Sequence, residues 1–166
     1  SYLAPENTLT AFRKAMEIGA DGVEMDVQQT GDKKLVIHHD FLIDWHTDMR
    51  GQIYDMTMEE LKALDFGSWK DVSYKDERIA TLQEAVALCR EMEGTVVQLE
   101  LKATIDNDSD FVPRVIEEIR AADITDRLVV ISFNHDLLRQ AKQLMPELKV
   151  GVLVYGAMET MALPTS

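Results

Sequence analysis

The second half of the sequence alternates regularly between helical and strand patterns. Apolar residues recur at helical spacing in three segments, and a short apolar run typical of a buried strand follows each one. In chain order these are a helix at about 81–92, a strand at 95–101, a helix at 109–121, a strand at 127–132, a helix at 134–145 and a strand at 149–155. This alternation predicts a parallel β-sheet with helices packed outside it.

The first forty residues add one helix and two strands to this pattern. Residues 6–19 have helical spacing, and Gly19 is a typical helix stop. Residues 22–28 alternate strictly between apolar and polar side chains, which predicts a strand with one apolar and one polar face. After a turn, residues 35–38 read as a short buried strand, so the sequence predicts five strands in all.

Residues 41–80 do not follow the alternation. Only one helix is expected there, at about 57–64, where Thr57 and Glu60 have capping-box spacing. We interpret 41–80 as an insertion in a single domain that covers residues 1–166. Both an open doubly wound sheet and part of a (β/α)8 barrel fit this length, since a barrel uses roughly 31 residues per βα unit.

The charge of the chain excludes several kinds of partner. There are 17 Lys and Arg against 30 Asp and Glu, a net charge of −13, which disfavours nucleic acids and anionic membrane surfaces. No apolar run reaches about 18 residues, so no stable membrane insertion is expected.

Cys89 is the single cysteine, so there is no internal disulfide framework. Without a visible export signal we expect a cytoplasmic location. The sequence does not indicate an oligomeric state.

Two carboxylates with a spacing of two residues are the most informative pair. On a strand, Glu24 and Asp26 point to the same face. In a buried setting such a pair resists ionisation unless a cation joins it, and hard divalent cations prefer oxygen ligands. A solvated polar strand face, continued by Gln28, is the alternative.

Further charged residues lie at the ends of other strands. Glu100 and Lys102 share a face at the end of strand 95–101, and they fit either a metal ligand with a phosphate-binding lysine or a structural ion pair. His39 follows strand 35–38, and a histidine there fits a general acid or base, although a loop histidine is often inert. Together these residues supply what metal-assisted phosphoryl chemistry requires.

Six short motifs follow one another in a recognisable order over residues 4–102, with a weak extension at 131–133. In chain order they are Ala4-Pro5-Glu6-Asn7-Thr8 with Ala11-Phe12, Gly19 to Val27, His39-Asp40, Leu64 to Trp69, Ile79 to Ala85, and Leu99 to Lys102. As an ordered set they resemble the glycerophosphodiester phosphodiesterases.

The resemblance implies a (β/α)8 TIM barrel, incomplete here because the first strand and the last units lie outside the 166 residues. It implies metal-dependent hydrolysis of small-molecule glycerophosphodiesters to sn-glycerol 3-phosphate and an alcohol, with one divalent cation, Mg²⁺ or Ca²⁺, and acid/base catalysis. By motif, the metal ligands would be Glu24, Asp26 and Glu100. His39 would be an acid/base group, Lys102 would act beside the phosphate, and Glu6 would help to bind substrate.

The chain departs from this family pattern in two places. The family has His-Arg-Gly a few residues before the Pro-Glu-Asn-Thr motif, with a second acid/base histidine, and those positions would precede Ser1. The segment Trp45-His46-Thr47-Asp48 is also unusual. Alternatives are a related phosphodiesterase or phospholipase that acts on lysophospholipids, a non-catalytic metal-binding relative, and a five-stranded binding domain. Water and the neighbouring glycerol hydroxyl both stay open as the attacking group.

Overall fold

The computed structural model describes residues 3–91, 94–103 and 109–155. The helices are α1 (Leu9–Glu17), α2 (Met58–Ala63), α3 (Leu82–Glu91), α4 (Phe111–Ala122) and α5 (His135–Leu144). The strands are β1 (Gly22–Gln29), β2 (Leu35–Ile37), β3 (Ala80–Thr81), β4 (Val96–Leu101), β5 (Leu128–Ser132) and β6 (Lys149–Val152).

The strands form one six-stranded sheet in the order β3-β2-β1-β4-β5-β6. β1, β4, β5 and β6 run parallel, as the alternating pattern predicts. β2 runs antiparallel to both of its neighbours. Because of this reversal, the end of β2 returns to the middle of β1, which decides where the residues after β2 can lie.

The apolar residues of the strands and helices form the main core. Val23, Met25 and Val27 of β1 are buried in this core, which confirms the predicted apolar face of that strand. The inward stripe of α4 is buried as predicted, and so are the described members of the α3 stripe; Met92 lies outside the described residues. The thiol of Cys89 is buried, and burial raises its pKa to about 11, so it is unreactive at neutral pH.

The helix boundaries follow from their caps. The Thr8 hydroxyl accepts a hydrogen bond from the backbone N–H of Ala11, so α1 begins at Leu9 rather than at residue 6. After α1 the chain turns at Gly19, where φ is 75°, and this confirms the expected stop. The capping box of Thr57 and Glu60 is present at the start of α2, also as predicted.

The segment 41–80 has a small core of its own. Ile43, Ile53, Leu61, Phe66 and Ile79 pack together against Val36 of β2. β3 begins at Ala80, the last residue of this segment. The sequence does not predict this strand because two residues cannot show an alternating pattern. The insertion is therefore folded against the outer part of the sheet.

Candidate metal centre and active site

Three carboxylates converge on β1 and β4. Asp26 is paired in register with Glu100 of the parallel strand β4, and Glu24 lies two residues earlier on the same face of β1. One oxygen from each of the three carboxylates lies within 4.8 Å of the others. The pair that the sequence places on one strand and the acid that it places on another thus form one cluster.

Asp26 is the most deeply buried member of this cluster. Its side chain is 2% exposed, and its Oδ1 atom is buried without a hydrogen-bond partner. Lys102 Nζ lies 3.4 Å from Asp26 Oδ1 and 3.6 Å from Glu100 Oε1, so its charge offsets part of the negative charge. A buried carboxylate oxygen without a partner is costly, and a cation would satisfy it.

Two of these carboxylates, those of Glu24 and Glu100, resist ionisation in the absence of a cation. Partial burial, followed by the negative charges of Asp26 and Glu100, raises the pKa of Glu24 to about 7, although its side chain reaches solvent. Burial also raises the pKa of Glu100, and Lys102 opposes this shift only in part. Three crowded oxygen ligands with one orphaned oxygen are a donor set that suits Mg²⁺ or Ca²⁺.

Asn7 holds Asp26 at two points. Its amide nitrogen donates to Asp26 Oδ2 at 2.8 Å, and its amide oxygen accepts from the Asp26 backbone N–H at 3.2 Å. Asn7 has a positive φ of 54°, a conformation that asparagine tolerates better than most residues. Sequence reasoning missed this role, although Asn7 lies in the Pro-Glu-Asn-Thr motif.

Of the two histidines that follow β2, His39 lies beside the carboxylate cluster and His38 does not. The exposed His39 ring lines the same cavity as Glu24 and Asp26, and its Nδ1 lies 2.7 Å from Asp40 Oδ1. Burial opposes ionisation of Asp40, but the hydrogen bond from His39 and the nearby histidines outweigh it and lower the Asp40 pKa. His38 is buried, and burial together with His46 lowers its pKa to about 3, so it is neutral.

His46, from the segment Trp45 to Asp48 of the insertion, packs against the residues that follow β2. Its Nε2 lies 3.7 Å from Glu6 Oε1, and its Nδ1 lies 3.7 Å from Asp40 Oδ2. The ring also makes edge contacts with His38 and with Trp69. Trp69 donates from its indole nitrogen to the Phe66 carbonyl at 2.9 Å.

Two cavities border the carboxylates. One of about 310 Å³ is lined by Glu6, Asn7, Glu24, Asp26 and His39, together with apolar residues of α1. The other, of about 210 Å³, is lined by Glu100 and Lys102 and by three aromatic residues, Phe41, Phe133 and Tyr155. Every residue that the sequence predicts for the site therefore lines one of these two cavities.

The arrangement combines three clustered carboxylates that could hold a cation, a lysine, and a histidine that is hydrogen-bonded to Asp40, all at the edge of two cavities. Such a combination is typical of α/β enzymes that carry out metal-assisted chemistry on a phosphate ester. A family model, the Glycerophosphoryl diester phosphodiesterase family, matches residues 1–164. The chain belongs to this family.

Individual relatives agree with the family match. The chain is 40% identical over 149 residues to a glycerophosphodiester phosphodiesterase of Caldanaerobacter subterraneus subsp. tengcongensis, covering 90% of this chain and 61% of the relative. It is 33% identical over 156 residues to human glycerophosphodiester phosphodiesterase 1, covering 81% of this chain and 46% of that protein. The chain thus spans about three fifths or less of the length of these relatives.

A solved structure shows the same fold. The chain matches an Oleispira antarctica phosphodiesterase, solved in complex with the product sn-glycerol-3-phosphate, with a TM-score of 0.88 at 38% identity. The match covers 93% of this chain and 62% of that one. The chain therefore has the α/β TIM-barrel fold type of the family, and its described residues form an open six-stranded part of it. No described helix is both long and apolar enough to cross a membrane.

Proposed function

We propose that this chain carries the catalytic site of a metal-dependent glycerophosphodiester phosphodiesterase. The substrate is a small glycerophosphodiester, and the products are sn-glycerol 3-phosphate and an alcohol. The observation that carries the proposal is the cluster of Glu24, Asp26 and Glu100 with an orphaned Asp26 oxygen, next to Lys102. Membership of the family and the product complex of the Oleispira relative support this substrate class.

The three carboxylates are the residues that would hold the cation. When bound, a divalent cation polarises a phosphoryl oxygen and offsets the charge that develops in the transition state. Lys102 adds a second positive charge beside Asp26 and Glu100, where a phosphate oxygen can accept a hydrogen bond from its ammonium group. Asn7 keeps the Asp26 carboxylate in one orientation.

His39 is the proposed acid/base group. Because Asp40 is ionised, Nδ1–H of His39 donates to it, and this leaves Nε2 free to exchange a proton with substrate. The reaction forms a new P–O bond from the attacking oxygen and breaks the P–O bond to the alcohol, which leaves with a proton. His39 either accepts the proton of the attacking oxygen or donates one to the leaving alcohol.

The test is release of sn-glycerol 3-phosphate from glycerophosphocholine by the purified chain. We expect release with Mg²⁺ or Ca²⁺ and none with EDTA, with Glu100→Gln as the variant that loses a proposed ligand. Absence of release from a folded chain that binds the cation would contradict the proposal. It would favour a non-catalytic metal-binding relative.

A second candidate acts on lysophospholipids. Phe41, Phe133 and Tyr155 line the cavity beside Lys102, and the last two rings stack with their centroids 4.2 Å apart. This exposed aromatic wall suits an apolar substrate arm better than a polyol. Faster hydrolysis of lysophosphatidylcholine than of glycerophosphocholine would favour this candidate, and the reverse order would favour the first.

A further inference from the structure

A single buried glutamine contacts the backbone that carries His39. The Gln28 side-chain nitrogen donates to the carbonyls of His38 at 2.6 Å and Asp40 at 2.8 Å, and lies 3.2 Å from that of His39. Gln28 is 3% exposed. Three consecutive carbonyls thus converge on one amide group.

These carbonyls have left the β-sheet. The ladder between β1 and β2 ends where the His38 N–H donates to the Asp26 carbonyl at 2.9 Å. Beyond this point the chain turns over the polar face of β1, and the carbonyls of the turn, which are buried or partly buried, need other donors. Gln28 lies two residues after Asp26 on that face, so its amide takes over where the ladder stops.

We propose that Gln28 is a positioning residue for His39. By holding the carbonyls of 38–40, it keeps the ring of His39 and its Asp40 partner beside the carboxylate cluster. Gln28 itself contacts no reacting atom. The inference rests on the proposed function for its catalytic meaning, but its structural content is testable without activity.

The neighbouring glutamine offers a matched control. Gln29 is also buried, at 4% exposed, but it points to the other side of β1, where its Oε1 accepts from Arg114 Nη1 at 3.0 Å. Gln28→Met and Gln29→Met make the same change at adjacent buried positions. Each variant loses one polar group, but only Gln28→Met frees the His39 loop.

The experiment measures the nitrogen shifts of the His39 ring by NMR at pH 8, where they report which ring nitrogen carries the proton. In the parent chain and in Gln29→Met we expect the proton on Nδ1, facing Asp40. In Gln28→Met we expect the shifts to move towards those of a free histidine, with faster amide hydrogen exchange at 39–41.

Cation affinity stays within about threefold, since Asn7 and the three carboxylates are unchanged. If Gln28→Met does not fold, Gln28→Asn, one methylene too short to span the gap, carries the test with the same expected signature.

Unchanged His39 signals in the Gln28 variant would overturn the inference, and so would the same change in both variants.

With glycerophosphocholine as substrate we expect the kcat of Gln28→Met to fall roughly 10- to 100-fold with KM nearly constant, which is the size of effect that a small misplacement of a catalytic group produces. If the parent chain has no activity but the NMR signature appears, the positioning role stands and the proposed function fails. If the parent chain is active and Gln28→Met is fully active, the positioning role fails alone.

Discussion

At the residue scale, Asp26 connects the different parts of the candidate site. It pairs in register with Glu100, accepts from Asn7 and lies 3.4 Å from Lys102 Nζ. Its remaining oxygen has no hydrogen-bond partner. We therefore expect that replacing any of these three neighbours weakens cation binding before it changes other properties.

The first prediction concerns Asn7. Glycine accepts the φ of 54° at this position, so Asn7→Gly removes the side chain without straining the backbone. Because Asp26 loses two hydrogen bonds, we expect the cation Kd to rise about 10- to 100-fold and the free energy of unfolding to fall by about 1–3 kcal/mol. Calorimetric titration and thermal unfolding measure the two effects. Asn134→Ala, which removes the N-cap of α5, should lower stability only; an unchanged Kd in Asn7→Gly would contradict the assignment of Asn7.

The second prediction concerns the pH dependence of cation binding. Glu24 has a pKa of about 7 without a cation, and a protonated carboxyl group does not bind one. Affinity should therefore be highest above pH 7 and fall as the pH drops below it, by up to about tenfold per pH unit. Titrations at pH 6 and pH 8 measure this, and Glu24→Gln should bind weakly with little difference between the two. Equal affinity of the parent chain at both pH values would argue against Glu24 as a ligand.

The third prediction uses the same pKa for the stability of the cation-free chain. The pKa of Glu24 is higher in the folded state than the ordinary value of 4.5, so between those values the folded state binds more protons than the unfolded state. Its contribution to stability therefore falls as pH rises from 4.5 to 7. At pH 8 without a cation, Glu24→Gln should unfold at a higher temperature than the parent chain. A lower melting temperature would mean that the cluster is not electrostatically strained.

The fourth prediction separates acid/base chemistry from cation binding. His39→Ala should reduce kcat by about 10²- to 10⁴-fold, the usual contribution of a general acid or base. Its cation affinity should stay unchanged, because His39 is not one of the clustered carboxylates. The control is His135→Ala, an exposed histidine at the start of α5, which should retain activity. Near-normal turnover by His39→Ala would remove that residue from the mechanism.

At the scale of elements, the β1–β2 hairpin brings together residues that a purely parallel sheet would separate. The sequence predicted both strands, the polar face of β1 and the start of the loop at His39. It did not predict that β2 runs antiparallel to β1. Strand direction depends on pairing between segments, and no periodicity within one segment reports it.

The fifth prediction tests how the insertion docks on this hairpin. A Cβ added at Gly31 would lie 2.8 Å from the Tyr54 carbonyl oxygen and 3.1 Å from the Asp55 carbonyl carbon. Gly31→Ala keeps the backbone hydrogen bond from its N–H to the Met56 carbonyl, so only the steric effect is added. We expect a loss of stability of about 1–3 kcal/mol, measured by urea unfolding. An unchanged midpoint would mean that the insertion is held loosely at this contact.

At the scale of the whole molecule, motif order and strand alternation were sufficient to predict the fold type. The α/β barrel type and the family are confirmed by a family model over residues 1–164 and by a structural match with a TM-score of 0.88. The residues that hold the side chains of the site in position were not predictable in the same way. Gln28 contacts His38 across 10 positions of sequence, Asn7 contacts Asp26 across 19, and His46 lies beside Glu6, which is 40 positions earlier. No pattern within one segment reports such contacts.

We propose that hydrolysis of a glycerophosphodiester requires one cation, held by Glu24, Asp26 and Glu100. The most direct test of this proposal is to titrate release of sn-glycerol 3-phosphate with Mg²⁺ or Ca²⁺ in the parent chain and in Asp26→Asn, after treatment of both with EDTA. We expect single-site saturation in the parent chain and no recovery of release in the variant. Release that persists in EDTA, or that Asp26→Asn supports at the same cation concentration, would contradict the proposal.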